Sequence, residues 1–281
     1  MNGKNILITG GNAGIGLATA IALAKQGANI YIVSRSNDKA QQAVKQIIEQ
    51  SGNNHIHYFT ANLSSQKSIR QLTRQIKTQL SVVDVLINNA GGVFPEYQLS
   101  EDGLEMTIAT NHFSYFLLTN LLLDLIKKSD YARIINVASD SHYSGKIDFD
   151  SFCTKKPYRI SKAYAQSKLA NVLFTNRLAA LLSNSHITVN SLHPGVVKTN
   201  IGNKNVQWYA SLAWSLFSGW RGVTVEEGAQ TSIYLASSPH VKGISGKYFD
   251  KCREKKPSSL ALNTDLQNEL WSFSLEKCPI N

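Results

Sequence analysis

The amino-acid sequence predicts one α/β domain, a doubly wound parallel sheet with helices on both faces. Three observations support this prediction. The 281 residues can bury one large core, the composition of 43% hydrophobic and 17% charged residues is globular, and strand-like and helix-like stretches alternate along the chain. This alternation is typical of parallel sheets, because a crossover helix has to join two parallel strands.

Seven short apolar or β-branched runs are predicted to be buried strands, and the last of these signals is the weakest. They are Ile6–Thr9, Ile30–Val33, His57–Thr60, Val82–Asn88, Arg133–Ala138, Thr188–Leu192 and Tyr248–Phe249. The stretches with helical periodicity are Ile15–Gln26, Lys39–Gln50, Gln66–Leu80, Leu104–Lys128, Ala163–Leu182 and Val225–Ala236. No internal repeat or linker interrupts them, so residues 1–250 are predicted to form one domain.

Residues 251–281 are predicted to form a C-terminal tail. Within it, Lys251–Pro257 is charged and turn-like, whereas Leu260–Leu275 is predicted to form one more helix.

The cysteines and the apolar runs favour a cytoplasmic protein. Cys153, Cys252 and Cys278 are odd in number and lack CxxC spacing, which indicates reduced thiols. The first apolar run, Ile6–Thr9, is too short for a secretory signal, and no run approaches the ~18 apolar residues of a spanning helix. The seven histidines lack ligand-like spacing, so no metal site is predicted.

The net charge of +10 leaves several interpretations open. It is consistent with an ordinary solvated surface, or with attraction to an anionic cofactor or an anionic membrane surface. Nucleic-acid binding is disfavoured, because the basic residues are scattered apart from four in the tail and accompany no nucleic-acid motif.

A glycine-rich turn follows the first predicted strand. Thr9 leads into Gly10-Gly11-Asn12-Ala13-Gly14-Ile15-Gly16 at the start of a helix. Glycines let the backbone approach a pyrophosphate closely, and a helix N-terminus offers N–H groups and a positive dipole end. The turn therefore predicts a Rossmann-type dinucleotide site; an ordinary strand-to-helix turn is the alternative.

Arg35 follows the second strand, where an acidic residue would bind the ribose 2′-hydroxyl of NAD. A guanidinium fork is instead suited to a 2′-phosphate, so we predict NADP(H) rather than NAD(H). The alternative is a surface arginine at the end of the strand.

Tyr164 and Lys168 are one helical turn apart, and Ser139 follows the fifth strand. A tyrosine titrates near pH ~10, and a neighbouring cation favours its phenolate and lowers that pKa. Such a tyrosine can exchange a proton with an alcohol while a cofactor carries the hydride.

These residues occur in an order that resembles the short-chain dehydrogenase/reductases. The resemblance covers roughly residues 3–249 and includes Thr9–Gly16, Asn88-Asn89-Ala90-Gly91, Asn111, Ser139, Tyr164-x-x-x-Lys168 and Pro194-Gly195. The runs 134–139, 167–174 and 193–199 are most similar to the retinol dehydrogenase-like branch of this family.

The resemblance implies four catalytic roles. Ser139 would donate a hydrogen bond to the substrate oxygen, and Tyr164 would donate or accept the proton. Lys168 would lower the pKa of Tyr164 and hold the nicotinamide ribose, while Asn111 would hold a water that links Lys168 to solvent. The implied cofactor-binding residues are Gly10, Asn12, Gly14, Ile15, Gly16, Arg35, Asn62, Leu63, Asn89, Ala90, Gly91, Tyr164, Lys168, Pro194, Gly195, Val197 and Thr199.

A second pair, Tyr158 and Lys162, has the same spacing. In the family a small residue stands two positions after the lysine, and Ala170 satisfies this for Lys168. Tyr158 also follows a proline, which favours the start of a helix. We therefore select Tyr164.

The sequence departs from the family pattern in a few places. Asn62 replaces a usual aspartate that accepts from the adenine amine, Gly11 replaces an alanine, and Ser114 stands where glycine is common. An amide oxygen can still accept a hydrogen bond, so slightly weaker cofactor binding is expected. We interpret His112 and His193 as structural.

Residues 200–222 are predicted to form a lid over the substrate. Val206–Trp220 contains three of the four tryptophans and no charged side chain, which favours an apolar substrate such as a retinoid, a steroid or a long-chain aldehyde. Packing on the core, a dimer interface or a peripheral membrane contact are the alternatives.

The predicted protein is therefore an NADP(H)-dependent oxidoreductase of an apolar carbonyl or alcohol. A catalytically idle NADP(H)-binding sensor or scaffold and a reductase of a polar carbonyl substrate are the alternatives. Whether subunits pair into a homo-oligomer through the apolar faces of Leu104–Lys128 and Ala163–Leu182 stays open.

Overall fold

The computed structural model describes residues 1–195 and 223–280, and its described part is built on one eight-stranded sheet. The strand order is β3-β2-β1-β4-β5-β6-β7-β8, with β1 to β7 parallel. The strands are β1 (Asn5–Thr9), β2 (Asn29–Ser34), β3 (Ile56–Thr60), β4 (Val85–Asn88), β5 (Arg133–Val137), β6 (Thr188–His193), β7 (Lys247–Asp250) and β8 (Arg253–Glu254). The predicted doubly wound parallel sheet is confirmed, and each predicted strand corresponds to one of β1 to β7.

The helices cover both faces of this sheet. They are α1 (Gly14–Ala24), α2 (Asn37–Ser51), α3 (Gln66–Gln79), α4 (Met106–Ile108), α5 (Ser114–Ile126), α6 (Ile160–Leu181), α7 (Val225–Ser237) and α8 (Thr264–Lys277). Alternation along β1 shows the two layers: Ile6 and Ile8 pack with α1, α2 and α7, whereas Leu7 packs on the opposite side with α3, α5 and α6. Because both faces are buried, the strands are apolar at successive positions.

The predicted helix Leu104–Lys128 is divided in the structure. Its first turn begins later, because the Glu105 carboxylate caps α4 by accepting from the N–H groups of Thr107 (2.8 Å) and Ile108 (3.0 Å). A π-helical turn, Ala109–Phe113, then widens the backbone before α5 begins. A turn of this kind has no residue signature in the sequence, and it is frequent at functional sites.

The strand β8 differs from the sequence prediction, in which Lys251–Pro257 is charged and turn-like. Lys251 and Cys252 adopt left-handed backbone angles, with φ of 49° and 60°, and reverse the chain after β7. Arg253–Glu254 can therefore pair antiparallel with β7.

The C-terminal residues pack against the domain. A 3₁₀ turn occupies Leu260–Leu262, and α8 begins only after Asn263, whose side chain accepts from the Leu266 N–H (2.8 Å). Trp271 of α8 lies 5.1 Å from Phe116 and 6.0 Å from Phe174, centroid to centroid. The apolar faces of α5 and α6 are thus contacted by a helix of the same chain. Within the described residues, no helix is both long enough and apolar enough to span a membrane.

Candidate active site

The carboxyl ends of the central strands carry most of the predicted site residues. Gly10 follows β1 and Asn89 follows β4, and these two strands are neighbours where the strand order reverses. Ser139 and Pro194 lie just beyond β5 and β6. Parallel strands end at the same edge of a sheet, and the reversal point opens a crevice there for a ligand.

The glycine-rich turn has the geometry that a pyrophosphate requires. Gly10 and Gly14 have left-handed φ angles of 66° and 53°. A Cβ on Gly16 would lie 2.4 Å from the Gly10 carbonyl oxygen, so a side chain there would fill the turn. No side chain caps α1 at Ala13, which leaves first-turn N–H groups available to an anion. The residues present therefore fit a dinucleotide. Asn12 is half-buried in this turn, whereas Ile15 is buried.

Asn89 ties the end of β4 to this turn. Its Nδ2 donates to the Thr9 carbonyl oxygen (2.8 Å), while the N–H groups of Asn89 and Ala90 donate to the Thr9 hydroxyl at 2.9 and 3.0 Å. Gly91 leads toward the second half of the site, since a Cβ there would lie 3.2 Å from Asn111 Oδ1 and 3.8 Å from Lys168 Nζ. The structure thus brings these predicted cofactor residues beside the predicted catalytic residues.

Lys168 is a buried cation without a carboxylate partner in the described part of the chain. Its Nζ donates to the Val137 carbonyl oxygen (2.9 Å) and lies 5.6 Å from the centre of the Tyr164 ring. Burial lowers the pKa of Lys168 to about 8. The ammonium is therefore held in place, and a negatively charged or polar ligand would stabilise its charged form.

Tyr164 is partly exposed, and Ser139 lies beside it. Burial raises the pKa of Tyr164 above its usual value, and a hydrogen bond with the Ser139 hydroxyl acts in the opposite direction. This upward direction is opposite to the sequence-based expectation that Lys168 lowers the pKa of Tyr164. The physical reason is that burial of the phenol outweighs its hydrogen bond with Ser139, while the Lys168 ammonium is turned toward a backbone carbonyl.

Asn111 lies in the π turn and fixes the loop after Gly91. Its Oδ1 accepts from the Gly92 N–H (2.8 Å), and its Nδ2 donates to the Gly92 carbonyl oxygen (3.0 Å) and to the Ser167 hydroxyl (2.9 Å). Both amide hydrogens are used, so one Oδ1 lone pair is left for a water. The water-holding role of Asn111 stays a prediction.

The predicted adenosine-side residues lie at the ends of β2 and β3. Arg35 and Asn62 are exposed, and Leu63 is half-buried. The Asn62 Oδ1 already accepts from the N–H (3.2 Å) and the hydroxyl (2.9 Å) of Ser64. The oxygen that was expected to accept from an adenine amine is therefore engaged, and the Asn62 Nδ2 is the part of this amide with capacity left.

Pro194 and Gly195 follow β6 and are half-buried. Gly195 has a φ of 84°, and a Cβ there would lie 2.9 Å from a methyl group of Val223. Val197, Thr199 and the predicted lid, residues 200–222, lie outside the described residues.

Comparisons with known proteins agree with this geometry. The family profile described as short chain dehydrogenase matches residues 4–210. The chain belongs to the short-chain dehydrogenase/reductase family.

Two human relatives are similar over nearly the whole chain. Retinol dehydrogenase 13 of Homo sapiens is 42% identical over 97% of this chain and 83% of its own length. Polyprenol dehydrogenase of Homo sapiens is 40% identical over 96% of this chain and 83% of its own length. The solved RhlG/NADP active-site complex of Pseudomonas aeruginosa has 26% identity and a TM-score of 0.70, and the match covers 89% of this chain and 94% of that one. The chain is thus a short-chain oxidoreductase of the retinol dehydrogenase-like branch, a family that uses a nicotinamide cofactor.

The competing Tyr158 has another environment in this short-chain dehydrogenase. It precedes α6, and its hydroxyl donates to the Phe94 carbonyl oxygen (2.8 Å) and lies 3.1 Å from the Thr107 hydroxyl. Lys162 is exposed. Tyr158 therefore fastens the loop after β4 to α4, and Lys162 is not buried as Lys168 is.

Several polar residues around the site were given no role of their own from the sequence. Asn88 Nδ2 donates to the Thr119 hydroxyl and to Asn136 Oδ1, both at 2.9 Å, and Asn136 Nδ2 donates to the Thr175 hydroxyl (2.9 Å). The only signal was an asparagine within each of two apolar strands, which implies a buried hydrogen bond. His193 accepts the Asp140 N–H on its Nδ1 (3.2 Å), and its structural role stays a prediction.

Proposed function

We propose that this short-chain dehydrogenase transfers a hydride between NADP(H) and an apolar carbonyl or alcohol. The observation that carries the proposal is the grouping of Ser139, Tyr164 and Lys168 at the carboxyl edge of the sheet. A lysine with a purely structural role would be expected to pair with a carboxylate, because a buried unpaired charge is costly. Lys168 is buried without a carboxylate partner in the described part of the chain, so the free-energy cost of its charge is not offset by an ion pair, which is typical of functional groups.

Each side chain has a distinct role in the proposed reaction. A nicotinamide cofactor, when bound, would supply or accept the hydride. The Ser139 hydroxyl donates a hydrogen bond to the substrate oxygen and stabilises charge that develops there. Tyr164 provides the proton at that oxygen. Because its pKa is raised, Tyr164 is protonated at neutral pH and can donate its proton when a carbonyl is reduced.

Lys168 supports this proton transfer. With a pKa of about 8 it is mainly protonated at pH 7, so it presents a positive charge close to the phenol. A cation there favours the phenolate that remains after the proton is given away. The resemblance also assigns Lys168 to the hydroxyls of the nicotinamide ribose, and its three N–H donors suit that task.

The preference for NADP(H) depends on Arg35. This side chain is exposed at the carboxyl end of β2, next to Ser36, whose hydroxyl accepts from the Lys39 N–H at the start of α2 (3.4 Å). A guanidinium in this position can bind a 2′-phosphate through two N–H groups, whereas the hydroxyls of NAD would give it no anionic partner.

We expect Arg35→Asp to weaken NADPH binding by on the order of 10- to 100-fold and to leave NADH binding equal or improved. Both dissociation constants can be measured by quenching of the protein fluorescence. Arg74→Asp is the matched control, since Arg74 is an exposed arginine on α3 and undergoes the same change of charge. Equal affinities of the natural protein for NADPH and NADH would contradict the cofactor assignment.

Three arguments support an apolar substrate. The predicted lid has three tryptophans and no charge between Val206 and Trp220. The names of two relatives, retinol dehydrogenase 13 and polyprenol dehydrogenase, denote enzymes for apolar alcohols. In addition, the loop after Gly91 presents the half-buried Val93, Phe94 and Pro95 next to the site.

The decisive experiment measures NADPH oxidation at 340 nm with retinal, a long-chain aldehyde, a steroid ketone and a sugar ketone. We expect turnover with at least one apolar compound, and loss of turnover in Tyr164→Phe. Tyr158→Phe is the matched control and should retain turnover. Turnover only with the sugar ketone would refute the substrate class. Tight NADPH binding without any turnover would favour the sensor or scaffold alternative.

A further inference from the structure

His142 lies directly behind Ser139 and contacts its main chain twice. The N–H of His142 donates to the Ser139 carbonyl oxygen (3.0 Å), and the Nδ1 of the same residue lies 2.8 Å from that oxygen. A carbonyl oxygen can only accept, so Nδ1 must carry a hydrogen. Ser139 is therefore held at its main chain by a ring that is itself fully buried.

The other ring nitrogen of His142 is occupied by the C-terminal part of the chain. The Ser258 N–H donates to Nε2 (3.1 Å). A backbone N–H can only donate, so Nε2 must be without a hydrogen, and the two main-chain groups together select the neutral Nδ1–H tautomer. Protonation of this ring would place a hydrogen on Nε2 against the Ser258 donor.

Two more contacts join the same two segments, and a third connects Asp140 to β7. Asp140 accepts from the Tyr248 hydroxyl (2.8 Å) and from Lys255 Nζ (3.2 Å), and the Tyr143 hydroxyl donates to the Lys256 carbonyl oxygen (2.5 Å). Residues 255–258, which we call the C-terminal strap, thus contact each of the residues 140, 142 and 143. The contacts of the strap connect positions more than 110 residues apart.

We propose that the C-terminal strap is a positioning element for Ser139, and that it acts through the His142 ring. The proposal rests on the proposed function, since it assumes that the Ser139 hydroxyl contacts the substrate oxygen. His142 is then a positioning residue: it does not reach the substrate itself, but it fixes the backbone from which the Ser139 hydroxyl projects. A small displacement of such a donor is costly, because catalytic hydrogen bonds depend on geometry.

Ser258→Pro tests this proposal; it also removes the Ser258 hydroxyl, which accepts from the Ala261 N–H (3.3 Å), and Ser258→Ala is the control for that second loss. Proline has no N–H, so the hydrogen bond to His142 Nε2 is lost while His142 and Ser139 themselves are unchanged. We expect kcat to fall by on the order of 10-fold while the Kd for NADPH stays within about twofold. Ser259→Pro is the matched control, because Ser259 already has a φ of −59° and its N–H forms no hydrogen bond within the described residues.

A double-substitution cycle separates positioning from a general structural effect. In a Ser139→Ala background, Ser258→Pro should reduce the residual kcat no further, because the donor that it positions is gone. A merely structural role would lower kcat by the same factor in both backgrounds, and that result would overturn the proposal.

Hydrogen exchange gives a readout that does not depend on turnover. Peptides that cover residues 137–145 should exchange faster in Ser258→Pro than in the natural protein, and they should be unchanged in Ser259→Pro. If the natural protein turns over no carbonyl or alcohol, the proposed function fails and the strap is judged on this exchange alone. Unchanged exchange in Ser258→Pro would refute the strap, whatever the activity.

Discussion

A buried histidine next to the π turn predicts how the stability of this enzyme depends on pH. His112 is fully buried among Phe113, Phe116 and Phe174. Its Nε2 lies 3.1 Å from the Ser274 hydroxyl on α8, and its Nδ1 has no hydrogen-bond partner among the described residues. Burial lowers the pKa of His112 from its ordinary 6.5 to about 3.

The sign and the size of the effect follow from this shift. Below pH 6.5 His112 is protonated in the unfolded chain, whereas in the folded chain it stays neutral until the pH falls to about 3. The unfolded state therefore binds more protons in that window, so the free energy of unfolding is complete above pH 6.5 and decreases as the pH falls. Between pH 7.5 and pH 5.0 the loss is about 1.5 pH units at ~1.36 kcal/mol each, or about 2 kcal/mol.

The assay is denaturant unfolding at pH 7.5 and at pH 5.0 of the natural protein, of His112→Gln and of His55→Gln. His112→Gln removes the titrating group but keeps a polar side chain, so its pH-dependent loss of stability should be smaller by about 2 kcal/mol. His55 is exposed, and His55→Gln should keep the His112 part of the loss, although it also removes a charge that lowers the pKa of His57. Equal losses in the natural protein and His112→Gln would refute the reasoning.

Two further substitutions test the packing of the site and of the sheet. We expect Gly16→Ala to lower the melting temperature by an amount that corresponds to about 1–3 kcal/mol and to weaken NADPH binding, because its Cβ would lie 2.4 Å from the Gly10 carbonyl oxygen. Thermal melts and NADPH titrations measure the two effects. An unchanged melting temperature and an unchanged affinity would contradict the prediction. Arg133→Leu should lower the free energy of unfolding, measured with denaturant, by roughly 2–6 kcal/mol, because the buried guanidinium donates to the carbonyl oxygens of Leu235 (2.8 Å) and Ser238 (3.0 Å). A smaller loss would mean that other groups form hydrogen bonds with these two oxygens.

The parallel sheet was predictable because its strands are buried on both faces. Such strands give continuous apolar runs, and α1 to α7 separate them at regular intervals. The strand β8 was not predictable, because it depends on two residues, Lys251 and Cys252, in left-handed conformations that their residue types do not favour. The π turn at Ala109–Phe113 was not predictable for a similar reason, since any apolar helix sequence can contain one.

The candidate site was predictable as far as its residues follow the ends of strands or share a helix face. Lys168 reaches the Val137 carbonyl oxygen and Tyr164 reaches Ser139 because β5 ends beside α6, and the order of motifs along the chain implied this. The pKa of Tyr164 was not predictable in the same way. Its direction depends on how much solvent the phenol loses on burial, which has no signature in the spacing of two residues.

The C-terminal residues explain why the site needs two histidines that do no chemistry. His142 binds the Ser258 N–H and His112 binds the Ser274 hydroxyl, and each histidine lies within three residues of a predicted catalytic residue, Ser139 or Asn111. Contacts to a main-chain N–H leave no pattern in the sequence, so residues 251–281 looked like a separate tail. The hydrogen bonds favour another interpretation. A neutral imidazole can donate on one side and accept on the other, so the His142 ring can join a loop of the site to the C-terminal part of the chain while remaining uncharged in a dry interior, whereas His112 contacts that part through its Nε2 alone.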